Sequence, residues 1–249
     1  MGESRRISVA VHLGVLALLV FGAQGCHYPP AVHTYEYLTD YERMSAAYDP
    51  LLSLVYVPQA TTFRSCPGII IGDIGIGDAW VDSPEEALGY ATFFRVVLRN
   101  ELLKLGRVGF VSLDKDEGDL KGHAREGTLL VEGRITKFDM GSGLLRYLSY
   151  FLWFVEAGAT DFQIEGRITD AATGQLVLEF VDRRRHLCNT PFGPNLHNFD
   201  KGYAMNVTTT ESARCIAGFI DMGFGEFPGV SAEVPLDEEA TIAAREKTP

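Results

Sequence analysis

The sequence predicts an α+β domain: a mixed, mainly antiparallel sheet of about five strands packed with two main helices, plus a short apolar crossover helix. Three observations carry this. Residues 128–138, 160–169 and 175–184 each alternate apolar with polar side chains at period two, the mark of half-buried strands. Two other stretches, after Ser83 and within 201–222, space their apolar residues as a helix does. Gly, Pro, Asn and Asp punctuate the boundaries between them.

Taken in order, residues 51–57 and 69–76 are apolar and β-branched, separated by Pro58, Pro67 and Gly68, and read as strands or strand ends. Ser83-Pro84-Glu85-Glu86 offers a capping hydroxyl, a proline preset for the first helical position and a glutamate three residues after the serine. The stripe Ala87, Ala91, Phe94, Leu98, Leu102 and Leu105 follows and stops at Gly106. Residues 108–113 form a further short strand, and the polar run 114–126 is a loop. Asp170-Ala171-Ala172-Thr173-Gly174 is a turn sequence between two alternating stretches, so those two make a hairpin. The last helix lies within 201–222 with Ala213, Ile216, Ala217 and Ile220 on one face; Thr208 and Glu211 offer a capping box that would start it later. Glu132-Gly133-Arg134-Ile135-Thr136 recurs as Glu165-Gly166-Arg167-Ile168-Thr169 inside two strand patterns, which marks two similar strands of one sheet rather than a solenoid.

The start of the chain is an address. Arg5 and Arg6 precede an apolar run over 7–21, too short for a comfortable membrane anchor, and then Gly22-Ala23-Gln24-Gly25-Cys26. These residues resemble a bacterial lipobox. The resemblance implies a signal peptide over 1–25, lipidation of Cys26 and, with His27 rather than Asp after the cysteine, delivery to the outer membrane with the domain facing the periplasm. Plain export to the periplasm is the alternative. Residues 26–50, rich in Tyr, Pro and charge, are expected to be a tether, 51–229 one periplasmic domain and 230–249 a disordered acidic tail.

The net charge of −11 falls to −12 once Arg5, Arg6 and Glu3 leave with the signal, which argues against nucleic acid as a partner. With Cys26 acylated, Cys66, Cys188 and Cys215 remain in an oxidising compartment; of three possible pairings, Cys188 with Cys215 is favoured because both lie in the C-terminal third. Gly72-Asp73-Ile74-Gly75-Ile76-Gly77-Asp78 lacks the spacing of a dinucleotide or phosphate loop, and its aspartates would repel phosphate. His186, Cys188, His197 and Cys215 match no common zinc spacing. The familiar hydrolase motifs do not occur, so neither catalysis, metal nor cofactor is expected.

The most informative oddity is the apolar, aromatic run 144–155, which sits where polar turn residues belong. One reading packs it on the sheet as the crossover helix. The other exposes it as a docking surface for an envelope protein, a sister subunit or the membrane. Arg146, Tyr147, Tyr150, Phe151, Trp153 and Phe154 would then be its anchors.

The order of helices and strands is similar to the domain shared by the N-terminal part of TolB, lipoprotein activators of penicillin-binding proteins and the curli-secretion lipoprotein. Within it, Val131-Glu132-Gly133-Arg134-Ile135, the run Gly141-Ser142-Gly143-Leu144-Leu145-Arg146-Tyr147, and Asp170 with Thr173-Gly174 most resemble an uncharacterised lipoprotein family. The resemblance implies a non-enzymatic accessory or assembly subunit of an envelope complex. Alternatives are a homo-oligomeric secretion component, or a polysaccharide-processing enzyme with convergent carboxylates.

Overall fold

The described residues of the computed structural model all fall within one unit of the chain, 31–249. The structure describes residues 32, 34, 37–38, 41–46, 52–58, 66–78, 80–113, 126–145, 158–186 and 200–224. A 3-10 turn, Tyr41–Arg43, is followed by β1 (Leu54–Tyr56), β2 (Gly68–Ile76), α1 (Pro84–Leu105), β3 (Phe110–Leu113), β4 (Leu129–Asp139), β5 (Thr160–Asp170), β6 (Leu176–His186) and α2 (Lys201–Gly223). The α+β class is as predicted, with six strands in one mixed sheet ordered β1-β6-β5-β4-β2-β3. The pairs β1·β6, β6·β5 and β5·β4 are antiparallel, while β4·β2 and β2·β3 are parallel. A parallel pair needs a long connection, and α1 supplies it between β2 and β3.

Both helices cover one face. Phe162, Ile164 and Ile168 of β5 alternate into a core that also holds Phe94 and Leu98 of α1 and Ile216 and Ile220 of α2. Burying Phe94 and Leu98 completely stabilises the fold by about 1.5–3 kcal/mol for each side chain. The predicted stripe of α1 is buried from Ala87 to Leu102, and Leu105 packs at its edge. Gly106 adopts a left-handed conformation, φ 64°, and its N–H donates to the Leu103 carbonyl. Ser83 does occupy the N-cap, but its side chain makes no capping hydrogen bond. Pro84 and the first-turn glutamates carry that terminus instead.

Helix α2 begins earlier than the alternative capping box would allow. Asp200 caps it, accepting from the Tyr203 N–H, whereas the Thr208 hydroxyl donates to the Ala204 carbonyl inside the helix.

The crossover character of the expected helix needs correction on topological grounds. Strands β4 and β5 are antiparallel neighbours, so the segment between them is an excursion from a hairpin rather than a crossover, and its residues 146–157 lie outside the described residues. Its described helical part is Gly143 to Leu145.

Candidate functional site

The two copies of the repeated motif lie side by side. Antiparallel pairing puts Gly133 opposite Gly166, Glu132 opposite Arg167 and Arg134 opposite Glu165, so a local two-fold relates them. Arg167 donates to Glu132 Oε2 at 3.2 Å. On the helix side, Gly166 leaves room for the Phe180 ring, to which a Cβ there would approach within 2.3 Å.

The face of the sheet away from the helices is charged and, at its centre, dry. Asp161, Gln163 and Glu165 alternate with core residues along β5, so all three sit on that far face, and Gln163 and Glu165 are completely buried. Thr136 follows core-facing Ile135 onto the same face, and the bulge there keeps Lys137 on it too and returns Phe138 to the core. The Glu165 carboxylate accepts from the Thr136 hydroxyl at 3.2 Å, from Gln163 Nε2 at 3.0 Å and from the Tyr41 hydroxyl. Next to it, Arg183 holds Asp161 in a two-pronged, buried ion pair, with Nε 2.9 Å from Oδ1. Lys137 stands 4.0 Å from Asp161 Oδ2 and over the Trp80 ring.

The cover over this centre includes the N-terminal stretch. Within the span expected to be a tether, Leu38 is buried, Tyr41 donates to Glu165, Tyr37 lies against Arg134, and Ser45 bridges to Val55. Burial pushes the Tyr37 hydroxyl above its ordinary value, with Arg167 opposing. Residues 37–38 and 41–46 therefore belong to the domain as a strap across its polar face.

At the outer end of β4 and β5 the excursion leaves through a narrow neck. Asp139 and Asp161 are register partners; Asp139 Oδ1 accepts from the Gly141 N–H at 2.7 Å, and the Thr160 hydroxyl donates to the Met140 carbonyl. Gly141, at φ 64°, sits so near the Gly158 and Ala159 carbonyl oxygens that a Cβ would meet both at 2.3 Å. The outgoing and returning chains thus touch. Around this neck is a shallow cavity of about 360 Å³, lined by Asp139, Asp161 and Arg185 together with Gly141, Ser142 and Leu145. Leu145 at its edge and the neighbouring Leu144 are 46% and 60% exposed.

The anchors expected in the run, Arg146, Tyr147, Tyr150, Phe151, Trp153 and Phe154, lie outside the described residues, as do Cys26 and Cys188. What the structure places is their point of attachment. Cys66 and Cys215 are half-buried thiols that are not bonded to each other. Burial raises both thiols above the ordinary cysteine value, although the Arg184 charge opposes this at Cys215 and hydrogen bonding from the Gly68 backbone opposes it at Cys66. Sequence reasoning missed the strap and the buried Glu165 centre. The polar alternation of Asp161, Gln163 and Glu165 looks like a solvent face until the cover over it is known.

Among the described residues, no group of three or more His, Cys, Asp or Glu is placed to hold a metal ion, and no helix is long and apolar enough to cross a membrane.

Fold and site together define a small α+β domain with helices on one face, a strapped polar face on the other, and an apolar excursion at one end. A family model described as Domain of unknown function (DUF4410) matches residues 112–188, from within β3 to just past β6, and so contains the stretch that resembles an uncharacterised family. No curated protein matches the chain. Among solved structures, the PelC dodecamer from Paraburkholderia phytofirmans is 7% identical, with 65% of this chain and 96% of that chain covered and a TM-score of 0.40. Protein XCC0632 from Xanthomonas campestris is 8% identical over 64% of this chain and 86% of its own, with a TM-score of 0.40. Lipoprotein GNA1162 from Neisseria meningitidis is 11% identical over 53% and 90%, with a TM-score of 0.31. At scores this low, nothing about function follows from the likeness.

Proposed function

We propose that this chain is an outer-membrane-anchored periplasmic lipoprotein that works by binding, as an accessory or assembly subunit of an envelope complex, with the run 144–155 as its docking element. The observation that carries the binding half is the neck. A hairpin that needs only a tight turn instead releases an apolar excursion through touching backbone ends, and its first leucines, Leu144 and Leu145, are exposed beside a charged rim of Asp139, Asp161 and Arg185. An apolar centre within a polar rim is the anatomy of a protein interface. The lipobox-like sequence ending at Cys26 supports the anchored half.

The carboxylates near the neck favour binding over polysaccharide processing. Asp161 is engaged by Arg183, and Asp139 by the Gly141 amide. A general acid or base needs a carboxylate able to exchange a proton with substrate.

Two measurements on the full chain test the two halves separately. Labelling with a palmitate analogue is expected to mark the wild type and not Cys26→Ala; equal labelling removes the anchor. Crosslinking and pull-down from envelope membranes compares the wild type with a variant carrying Tyr150→Ser, Phe151→Ser, Trp153→Ser and Phe154→Ser. Loss of a specific partner from the folded variant supports the docking element, whereas unfolding of the variant shows the run to be core.

A further inference from the structure

The outward face of α1 carries three large apolar side chains where a solvent-facing helix is ordinarily polar. Leu88, Val96 and Leu103 are 59%, 42% and 44% exposed. With Gly89, Thr92 and Asn100, all exposed, they form one stripe along the helix. From Leu88 to Leu103 it runs about 22 Å. Gly89 is the telling member. A glycine inside a helix costs about 1 kcal/mol relative to alanine. Nothing among the described residues repays that here, since a Cβ at Gly89 would meet none of their atoms within 4 Å. A bare spot on an exposed helix is explained by something that packs on it from outside.

We propose that this face is a homodimer interface in which two copies of α1 pack antiparallel about a two-fold axis at Val96. The stripe is self-complementary in that arrangement. Counting outward from Val96, Leu103 of each copy falls opposite Gly89 of the other, and Thr92 opposite Asn100. The apolar knob meets the bare hole, and polar meets polar. The charges agree as well: Glu85 and Glu86 in the first turn come opposite Lys104 in the last turn and Arg107 just past the C-cap. Those two cations are well exposed, and their present ion pairs with Glu101 and Asp221 lie at the surface, where such pairs contribute little. A two-fold contact of this kind closes on itself and produces a dimer, not a growing array. One helix pair buries less than the roughly 800 Å² per partner of a standard interface, so the dimer forms in a concentration-dependent way. The inference does not depend on lipidation.

Disulfide crosslinking of the full chain, expressed with its own leader, tests it. Val96→Cys, on the axis, is expected to crosslink to its own copy above the wild-type level, while Thr92→Cys, displaced from its copy along the helix, stays at that level. Adding Gly89→Trp, which fills the hole, is expected to weaken dimerisation at least about tenfold, the effect of losing ~1.4 kcal/mol of contact, while the thermal melt of the dilute chain is not lowered, because the helix sheds its glycine. Exchanging charges discriminates further: Glu85→Lys with Glu86→Lys lowers the crosslink, and adding Lys104→Glu with Arg107→Glu restores it. A folded Val96→Cys chain that does not crosslink above wild type, or a crosslink indifferent to Gly89→Trp, overturns the proposal. A head-to-tail ring would do the same, because Val96 would not meet itself.

Discussion

Three residues carry consequences that their positions in the fold alone would hide. Gly166 is where β5 gives way to the Phe180 ring, which is itself buried and hemmed in by core. Gly166→Ala is expected to lower stability by about 1–3 kcal/mol, the usual cost of overpacking a finished core, read as a fall in the urea midpoint at constant slope. Asp182 is buried beneath α2 beside Ser212, paired with Arg184 Nε at 3.0 Å. Burial lifts its carboxyl above the ordinary range; the Arg184 charge and its hydrogen bond oppose this without cancelling it. The Ser212 hydroxyl also steadies that charge, yet its geometry falls short of a hydrogen bond. In the unfolded chain the group ionises near 3.8, whereas the fold keeps the proton to higher pH. Its stabilising contribution is therefore complete below that value and is lost as pH rises through the raised one. Asp182→Asn removes this dependence, so the stability of the variant relative to wild type should climb with pH and then level off. A gap that stays flat from acid to neutral pH would show that Arg184 fully neutralises the burial cost. Asp170 runs the other way. Partial burial raises it, but donation from the Thr173, Gly127 and Ala172 amides and the Thr173 hydroxyl prevails and holds the carboxyl below its usual range, so its contribution fades as pH falls.

At the level of elements, what the sequence makes legible is what local periodicity encodes. The stripe from Ala87 to Leu102 and the alternation of β4, β5 and β6 need no partner to be recognised, because each repeats the geometry of its own backbone. The strap shows no such period. Leu38 and Tyr41 acquire meaning only from a strand more than a hundred residues away, so nothing near them in the chain announces that they fold. The start of α2 was half legible: Asp200 is a good capping residue in the right place, and Thr208 with Glu211 offered a competing signal that burial overrode. The neck was legible in its glycines and not in its closure, since Gly141 and Gly158 become a junction only when β4 and β5 pair. Tyr41→Phe tests the strap. It takes one donor from a buried carboxylate and should cost about 1.5–3 kcal/mol, a hydrogen bond to a charged group. Amide exchange over residues 41–46 is expected to quicken far more than exchange in β5; a uniform change across the sheet would mean that strap and sheet open as one.

On the scale of the whole molecule, the strap shortens the chain that is free to reach out from the domain. Tyr37 follows Cys26 by eleven positions, and a fully extended chain of that length spans at most about 40 Å. The neck has a different consequence, one for descent rather than for mechanics. Its two ends meet through backbone atoms and Asp139, all upstream or downstream of the aromatic run itself. Whatever hangs from such a junction can be lengthened, trimmed or rewritten at small cost, since each doubling of a loop adds only about 0.6 kcal/mol of closure entropy. The sheet is thereby a chassis with an interchangeable attachment, and the words written between Gly141 and Gly158 can change without touching β4 or β5.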